Sequence, residues 1–162
     1  MTQEEKDLLL KDLCARLSYG VKAKANDITV VTINGIVKLQ SLTGYFYYDI
    51  ITDNGNFYLK EVKPYLRSML SMTEEEIYDL AAIMTQGLPH DIDVEQGYFK
   101  VTCKELIDGL DHDIEYEFYV QDVVDGIFGI KGYDWLNAHH FDYRGLIDEG
   151  LAIEVTEENN PY

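Results

Sequence analysis

From residue 2 to residue 19 the apolar positions follow a helical period. Leu9, Leu10, Leu13, Cys14 and Leu17 recur at i, i+3, i+4 and i+7, while Glu5, Asp12 and Arg16 fall on the other faces. Thr2 with Glu5 three residues on has the spacing of a capping box, and Gly20 supplies a left-handed stop. The pattern predicts a helix over 2–19 with one stripe, Cys14 included, that a sheet or another helix must cover.

After Gly20 the period changes to that of strands. Val30, Val31 and Ile33 lead into Asn34-Gly35, and Ile36, Val37 and Leu39 lead out, which is a short-hairpin signal because both turn residues tolerate positive φ. The pattern repeats where Tyr45, Phe46, Tyr47, Tyr48, Ile50 and Ile51 run into Asp53-Asn54-Gly55-Asn56 and Phe57, Tyr58, Leu59 and Val62 return. With Thr43-Gly44 as the link, about four antiparallel strands are expected between Asp27 and Val62, with Pro64 ending the last. The amphipathic helix then lies on one face of this meander.

Farther along, Ser71 or Thr73 followed by Glu74, Glu75 and Glu76 opens a second helix, the acids facing its positive end. Ile77, Leu80, Ala81 and Met84 form its stripe, and Gly87 with Pro89 stops it. A strand over Tyr98–Thr102, a helical turn through Lys104–Leu110 and a helix near Tyr133–Phe141 follow; Gly126, Gly129 and Gly132 interrupt the chain before that helix. Tyr116–Val120 fits either a strand or a helix start. Gly150 is expected to stop a helix, and Leu151–Val155 forms a closing strand. The fold class is therefore α+β, one domain over 1–162, with an N-terminal helix and meander and a mainly helical C-terminal part.

The length of 162 residues suits a single domain that needs no staples. Charge changes the picture more. Residues 1–67 carry 9 Lys+Arg against 8 Asp+Glu, whereas residues 68–162 carry 4 against 22, so nearly all of the net −17 lies in the second part. Such a field repels nucleic acid and membranes and attracts basic partners. No apolar run reaches the length of a membrane span, and the acidic, helix-patterned start is unlike a signal peptide, so a cytoplasmic protein is expected. Cys14 and Cys103 are far apart and belong to no Cys/His cluster, which predicts reduced thiols and no zinc site.

Two acidic stretches invite a calcium reading that their spacing does not support. In DIDVEQGYFKVT, Asp91, Asp93 and Glu95 precede Gln96 where the loop needs Gly, and Thr102 stands where the bidentate Glu belongs. In DHDIEYEF, Tyr116 takes the glycine position after Asp111, Asp113 and Glu115. Both are read as solvated loops, with His90 and His112 beside them. The densest cluster of reactive side chains is WLNAHHFDYRG, with Trp135, His139, His140, Asp142, Tyr143 and Arg144. His and carboxylate together serve metal or acid/base sites. Adjacent His residues on a helix point about 100° apart, however, so a structural role competes: one His caps or packs the helix end, Asp142 caps the next turn and Arg144 pairs with a carboxylate. No nucleophile elbow, phosphate loop or dinucleotide motif occurs, and no cofactor or metal is expected.

The blocks LLLKDLCARLSYGV, KPYLRSMLSMTEEE and WLNAHHFDYRGLIDEGLAIE resemble a family of small acidic proteins of gut bacteria and their phages. Ser18 and Ser68 depart from its pattern, where prolines are common. The family has no assigned function, so the resemblance implies only a phage, mobile-element or housekeeping context and carries over no catalytic residue.

Three functions stay open. A non-enzymatic interaction protein would use Glu115, Glu117, Asp122 and Asp125 as an acidic face for a basic protein partner. A nucleic-acid-binding sheet would use Lys22, Lys24, Lys38, Lys60, Lys63 and Arg67 for phosphate and Tyr45, Tyr47, Tyr58 and Tyr65 for stacking, against the net charge. A small enzyme would use the His139–Arg144 segment.

Overall fold

The computed structural model describes residues 1–26, 29–85, 88–95, 98–119 and 129–162. Up to residue 67 they form α1 (Gln3–Arg16), β1 (Lys22–Ala25), β2 (Thr29–Gln40), β3 (Phe46–Thr52), β4 (Gly55–Tyr58) and β5 (Val62–Leu66). Beyond it come α2 (Glu74–Thr85), β6 (Leu88–Glu95), β7 (Tyr98–Ile107), β8 (Leu110–Tyr119), α3 (Gly129–Ala138) and β9 (Ile153–Glu154). These elements make two compact units, 1–67 with 140–162, and 68–139. Among the described residues no helix is long and apolar enough to cross a membrane.

The capping box of α1 forms as its spacing requires, with the Glu5 amide donating to Thr2 Oγ1 at 3.2 Å and the Thr2 amide donating back to the Glu5 carboxylate. A 3-10 turn over Leu17–Tyr19 then ends at Gly20, whose φ of 67° lies in the left-handed region that favours glycine. The buried face is rotated from the apolar stripe, however. Leu9, Asp12, Leu13 and Arg16 point inward at i, i+3, i+4 and i+7, and Cys14, expected in the core, is exposed.

In the first unit the strands order β4-β3-β2-β1-β5-β9: β1 to β4 pair antiparallel in sequence as a four-stranded meander, and β5 and β9 extend it beyond β1, with β9 parallel to β5, so the sheet as a whole is mixed. Leu9 and Leu13 of α1 meet Ala23, Ala25, Val31, Ile33, Ile50, Val62 and Leu66 of the sheet in one apolar core. The Asp53-Asn54 turn joins β3 to β4 as its residues foretold, with Thr52 opposite Gly55. Asn34-Gly35 is no turn. The backbone runs through it in β2, and the register passes from Ile33 opposite Thr52 to Gly35 opposite Ile51, leaving Asn34 as the extra residue of a bulge. After that bulge the core-facing positions of β2 become Ile36, Lys38 and Gln40, opposite Ile50, Tyr48 and Phe46. Pro64 lies inside β5 opposite Ala23, not after it; β9 pairs only with Tyr65 and Leu66, which spares Pro64 any ladder demand on that side.

The second unit is less helical than its composition suggested. Thr73, of the two candidate caps, starts α2: its Oγ1 accepts from the Glu76 amide at 3.2 Å, and its amide donates to the Glu76 carboxylate at 2.9 Å. Ile77, Leu80 and Ala81 are buried. Lys104–Leu110 is not a helical turn, because β7 continues to Ile107 and Asp108-Gly109, both at positive φ, reverse the chain into β8. Tyr116–Tyr119 is strand, and β6-β7-β8 form an antiparallel three-stranded sheet that places His90 and His112 on strands. α3 starts at Gly129 and keeps Gly132 buried within it, so neither glycine precedes the helix; it stops at Ala138, two residues before His140 turns to a φ of 59°. Gly150 closes a series of turns over 142–150 and no helix.

What returns residues 140–162 to the first unit is polar. Asp12 and Arg16 are both 0% exposed, and Arg16 Nε donates to Asp12 Oδ2 at 2.8 Å. Arg144 Nη1 donates to the other oxygen at 2.8 Å, and Arg16 Nη2 donates to the Phe141 carbonyl at 2.6 Å. Both guanidiniums lie over the Tyr143 ring, at 5.4 Å for Arg16 and 4.3 Å for Arg144. Removing one member of a buried charge set leaves the others uncompensated. Asp12→Asn is therefore expected to cost about 3–5 kcal/mol in urea unfolding, with Asp7→Asn on the exposed face of α1 staying near the parent chain.

Candidate functional site

The WLNAHHFDYRG cluster is divided between the two units. Trp135 and His139 close α3 in the second: their rings stack at 3.9 Å, and His139 Nδ1 lies 2.9 Å from the Trp135 carbonyl. His140, Asp142 and Arg144 belong to the first. The Asp142 oxygens accept from the Leu146 and Ile147 amides at 3.0 and 2.7 Å, so this carboxylate caps the turns that follow, and Arg144 holds Asp12. The His140 ring stacks on Tyr162 at 4.2 Å. Each of these polar groups has a structural employment.

The acidic candidates lie elsewhere. Glu115 stands on β8 with its side chain 61% exposed and its carboxylate 2.7 Å from Lys100 Nζ. Glu117 is on the same strand with Lys100 as its register partner, and Asp122 and Asp125 lie outside the described residues. Asp91, Asp93 and Glu95 lie on β6, and Asp111, Asp113 and Glu115 on β8, so both acidic stretches are strands and not the solvated loops expected of them. Among the described residues no group of three His, Cys, Asp or Glu could hold a metal.

The Lys/Tyr set of the first unit does not share one surface either. Lys22, Lys24 and Lys63 point away from the core, with Lys24 directly opposite Lys63. Lys22 Nζ donates to Thr32 Oγ1 at 2.7 Å. Tyr65 is buried, and the Arg67 guanidinium lies 4.2 Å from the Phe141 ring.

Lys38 departs from the rest because the bulge has turned it to the core side. There the sheet extends past its apolar centre, and Lys38 Nζ sits 4.6 Å from the centroid of Phe46 and 5.9 Å from that of Tyr48. Around them opens a cavity of about 410 Å³, lined also by Lys6 of α1, Lys60 after β4, Tyr47 and Tyr58. The last two rings meet edge to face at 5.9 Å. Three lysines from three elements thus converge on an aromatic floor, and none of the described residues that line the cavity is acidic. Phe46 remains 61% exposed, a large apolar surface left beside cations.

Of the lining residues, Lys38, Lys60, Tyr47 and Tyr58 belong to the set marked in the sequence, whereas Lys6, Phe46 and Tyr48 do not. Their signal was the bulge: with Asn34 counted as an extra residue, alternation puts Lys38 on the side of Tyr48 and Phe46.

No family model, no curated protein and no solved structure matches the chain.

One titration reports on the packing of residues 140–162. The Tyr162 hydroxyl donates to the Tyr65 carbonyl at 2.8 Å and accepts from the Lys22 amide at 3.2 Å. Although 46% of the residue is exposed, burial of this hydroxyl end raises its pKa from 10.0 to about 12. A raised pKa means that the folded chain keeps a proton which the unfolded chain loses, so this contribution is complete below pH 10 and fades as pH rises towards 12. In an ultraviolet titration of phenolate, Tyr162→Phe should remove a component near pH 12.

Proposed function

We propose that this chain is a non-enzymatic binding protein whose first unit takes an anionic ligand in the Lys38 cavity. The observation that supports this most is the placement of Lys38 over Phe46 and Tyr48 in a concavity with Lys6 and Lys60 and no lining carboxylate. Lys38 is exposed and has no acidic neighbour among the described lining residues, so a ligand with negative charge supplies the counter-charge that the cavity lacks, and Phe46 leaves ring surface beside it for contact. The net −17 opposes anions at long range, so attraction must be local to the cavity. The side chains that an acid/base reading would need, Asp142 and Arg144, are occupied in holding residues 140–147. Calorimetric titration with inorganic tripolyphosphate is expected to show binding that weakens as sodium chloride is raised and disappears in the Lys38→Glu, Lys60→Glu double variant. No heat of binding at low salt from a correctly folded chain rejects the proposal.

A second reading concerns 68–139, where 16 Asp+Glu face 3 Lys+Arg. In it Glu115 and Glu117 of β8, with Asp122 and Asp125, engage a basic protein. The 61% exposure of the Glu115 side chain favours it, and the Lys100 contact tempers it. Affinity capture from nuclease-treated lysate should then retain a basic protein near one-to-one, released by high salt. Reversing the four acids to Lys should abolish capture; unchanged capture removes this reading.

A further inference from the structure

We infer that the ligand of the Lys38 cavity is a nucleotide, a nucleobase ring carrying phosphate, met either free or as the phosphorylated end of a single strand. This rests on the anion-binding reading and narrows it by three features of the same walls.

The first is the floor. A small inorganic ion would be served by lysines alone, yet Phe46 and Tyr48 present ring surface beside Lys38, and Phe46 is still 61% exposed. Exposed ring faces next to cations suit a flat partner that stacks while its charged end reaches the ammonium groups. The second is the kind of cation. Lys6, Lys38 and Lys60 line the cavity and no arginine does. Ammonium groups act as point charges with rotatable donors, which suit the several oxygens of a phosphate, whereas a paired guanidinium fork would suit a planar carboxylate. Three positive charges with no acidic lining residue match a group of charge near −2 better than a monoanion. The third is size. About 410 Å³ lies within the range of small-molecule sites.

The rings also fix where the two halves of the ligand lie. Lys38, Phe46 and Tyr48 share the core-facing side of β2 and β3, so the base is placed over Phe46 and Tyr48, and the phosphate is placed toward Lys6 of α1 and Lys60 beyond β4. Gln3, on the first turn of α1, also lines the cavity, its Nε2 donating to Asp7 at 2.9 Å.

The test is calorimetric titration of the full chain with AMP, adenosine, inorganic phosphate and oligothymidylate with and without a 5′-phosphate. AMP is expected to bind roughly tenfold or more tightly than adenosine or phosphate, because stacking and charge each contribute about a decade. Phe46→Ala should weaken AMP by a similar factor and leave tripolyphosphate unchanged; Phe46 is surface-exposed, so the fold survives its loss. A 5′-phosphorylated oligothymidylate that binds more tightly than AMP assigns the strand end as the source, and the reverse order assigns the free nucleotide. If AMP binds no better than phosphate and Phe46→Ala changes nothing while tripolyphosphate still binds, the nucleotide inference is overturned and the anion site stands. If tripolyphosphate also fails to bind, the anion site falls with it.

Discussion

One carboxylate organises the first unit. Asp12 is fully buried between two guanidiniums, one from its own helix and one from a segment 132 residues later. A lone carboxylate could not be there, since taking a charge from water costs several kcal/mol. Its burial becomes tolerable only because Arg16 and Arg144 each satisfy one oxygen and Arg16 also reaches the Phe141 carbonyl. Arg16 Nη1 gains no hydrogen bond among the described residues, so the set is not fully satisfied. Leaving the register of α1 would strand all of these groups at once, which is how a polar cluster specifies an arrangement that Leu9 and Leu13 alone could slide within.

The same cluster explains why the C-terminal stretch is at the sheet. With Phe141 and Arg144 fixed on α1, and the Arg67 and Asp142 backbones bonded at 2.8 Å, the turns over 142–150 deliver β9 beside Leu66. The parallel pair that results closes the sheet with a strand of two residues. It also regroups the charge. Residues 140–162 bring 6 Asp+Glu and one Arg to the first unit, leaving 68–139 with a net of −13.

Local chemistry was legible in the sequence and distant partnership was not. Thr2 with Glu5, Thr73 with Glu76 and Asp53 through Gly55 were readable because a cap or tight turn is closed by residues at most four apart. Asp12 and Arg16 were assigned to outer faces because polarity usually marks solvent, and nothing near them in sequence announces Arg144. Lys104–Ile107 read as helix because its alternation is short and mixed, yet pairing with β8 decides it. Half of the candidate site was readable for the same reason. Lys38 and Tyr58 were marked by their type, while Phe46 and Tyr48 looked like ordinary strand residues, and Lys6 looked like the solvent face of a helix.

Asn34-Gly35 shows how one signal serves two structures, since freedom at positive φ suits a hairpin turn and a bulge alike. The choice has a consequence for this chain. Were Asn34 an ordinary ladder residue with no bulge, alternation along the second half of β2 would run unbroken from Ile33, and Val37 and Leu39 would look toward α1 while Lys38 faced outward. The core would then continue to the end of the strand as ordinary apolar packing, built from the same side chains in the same order. The cavity's charge is thus decided by whether Asn34 bulges or takes a place in the ladder, so a related chain with the same residues from Ile33 to Lys38 but a regular strand would carry the lysine on its outer face.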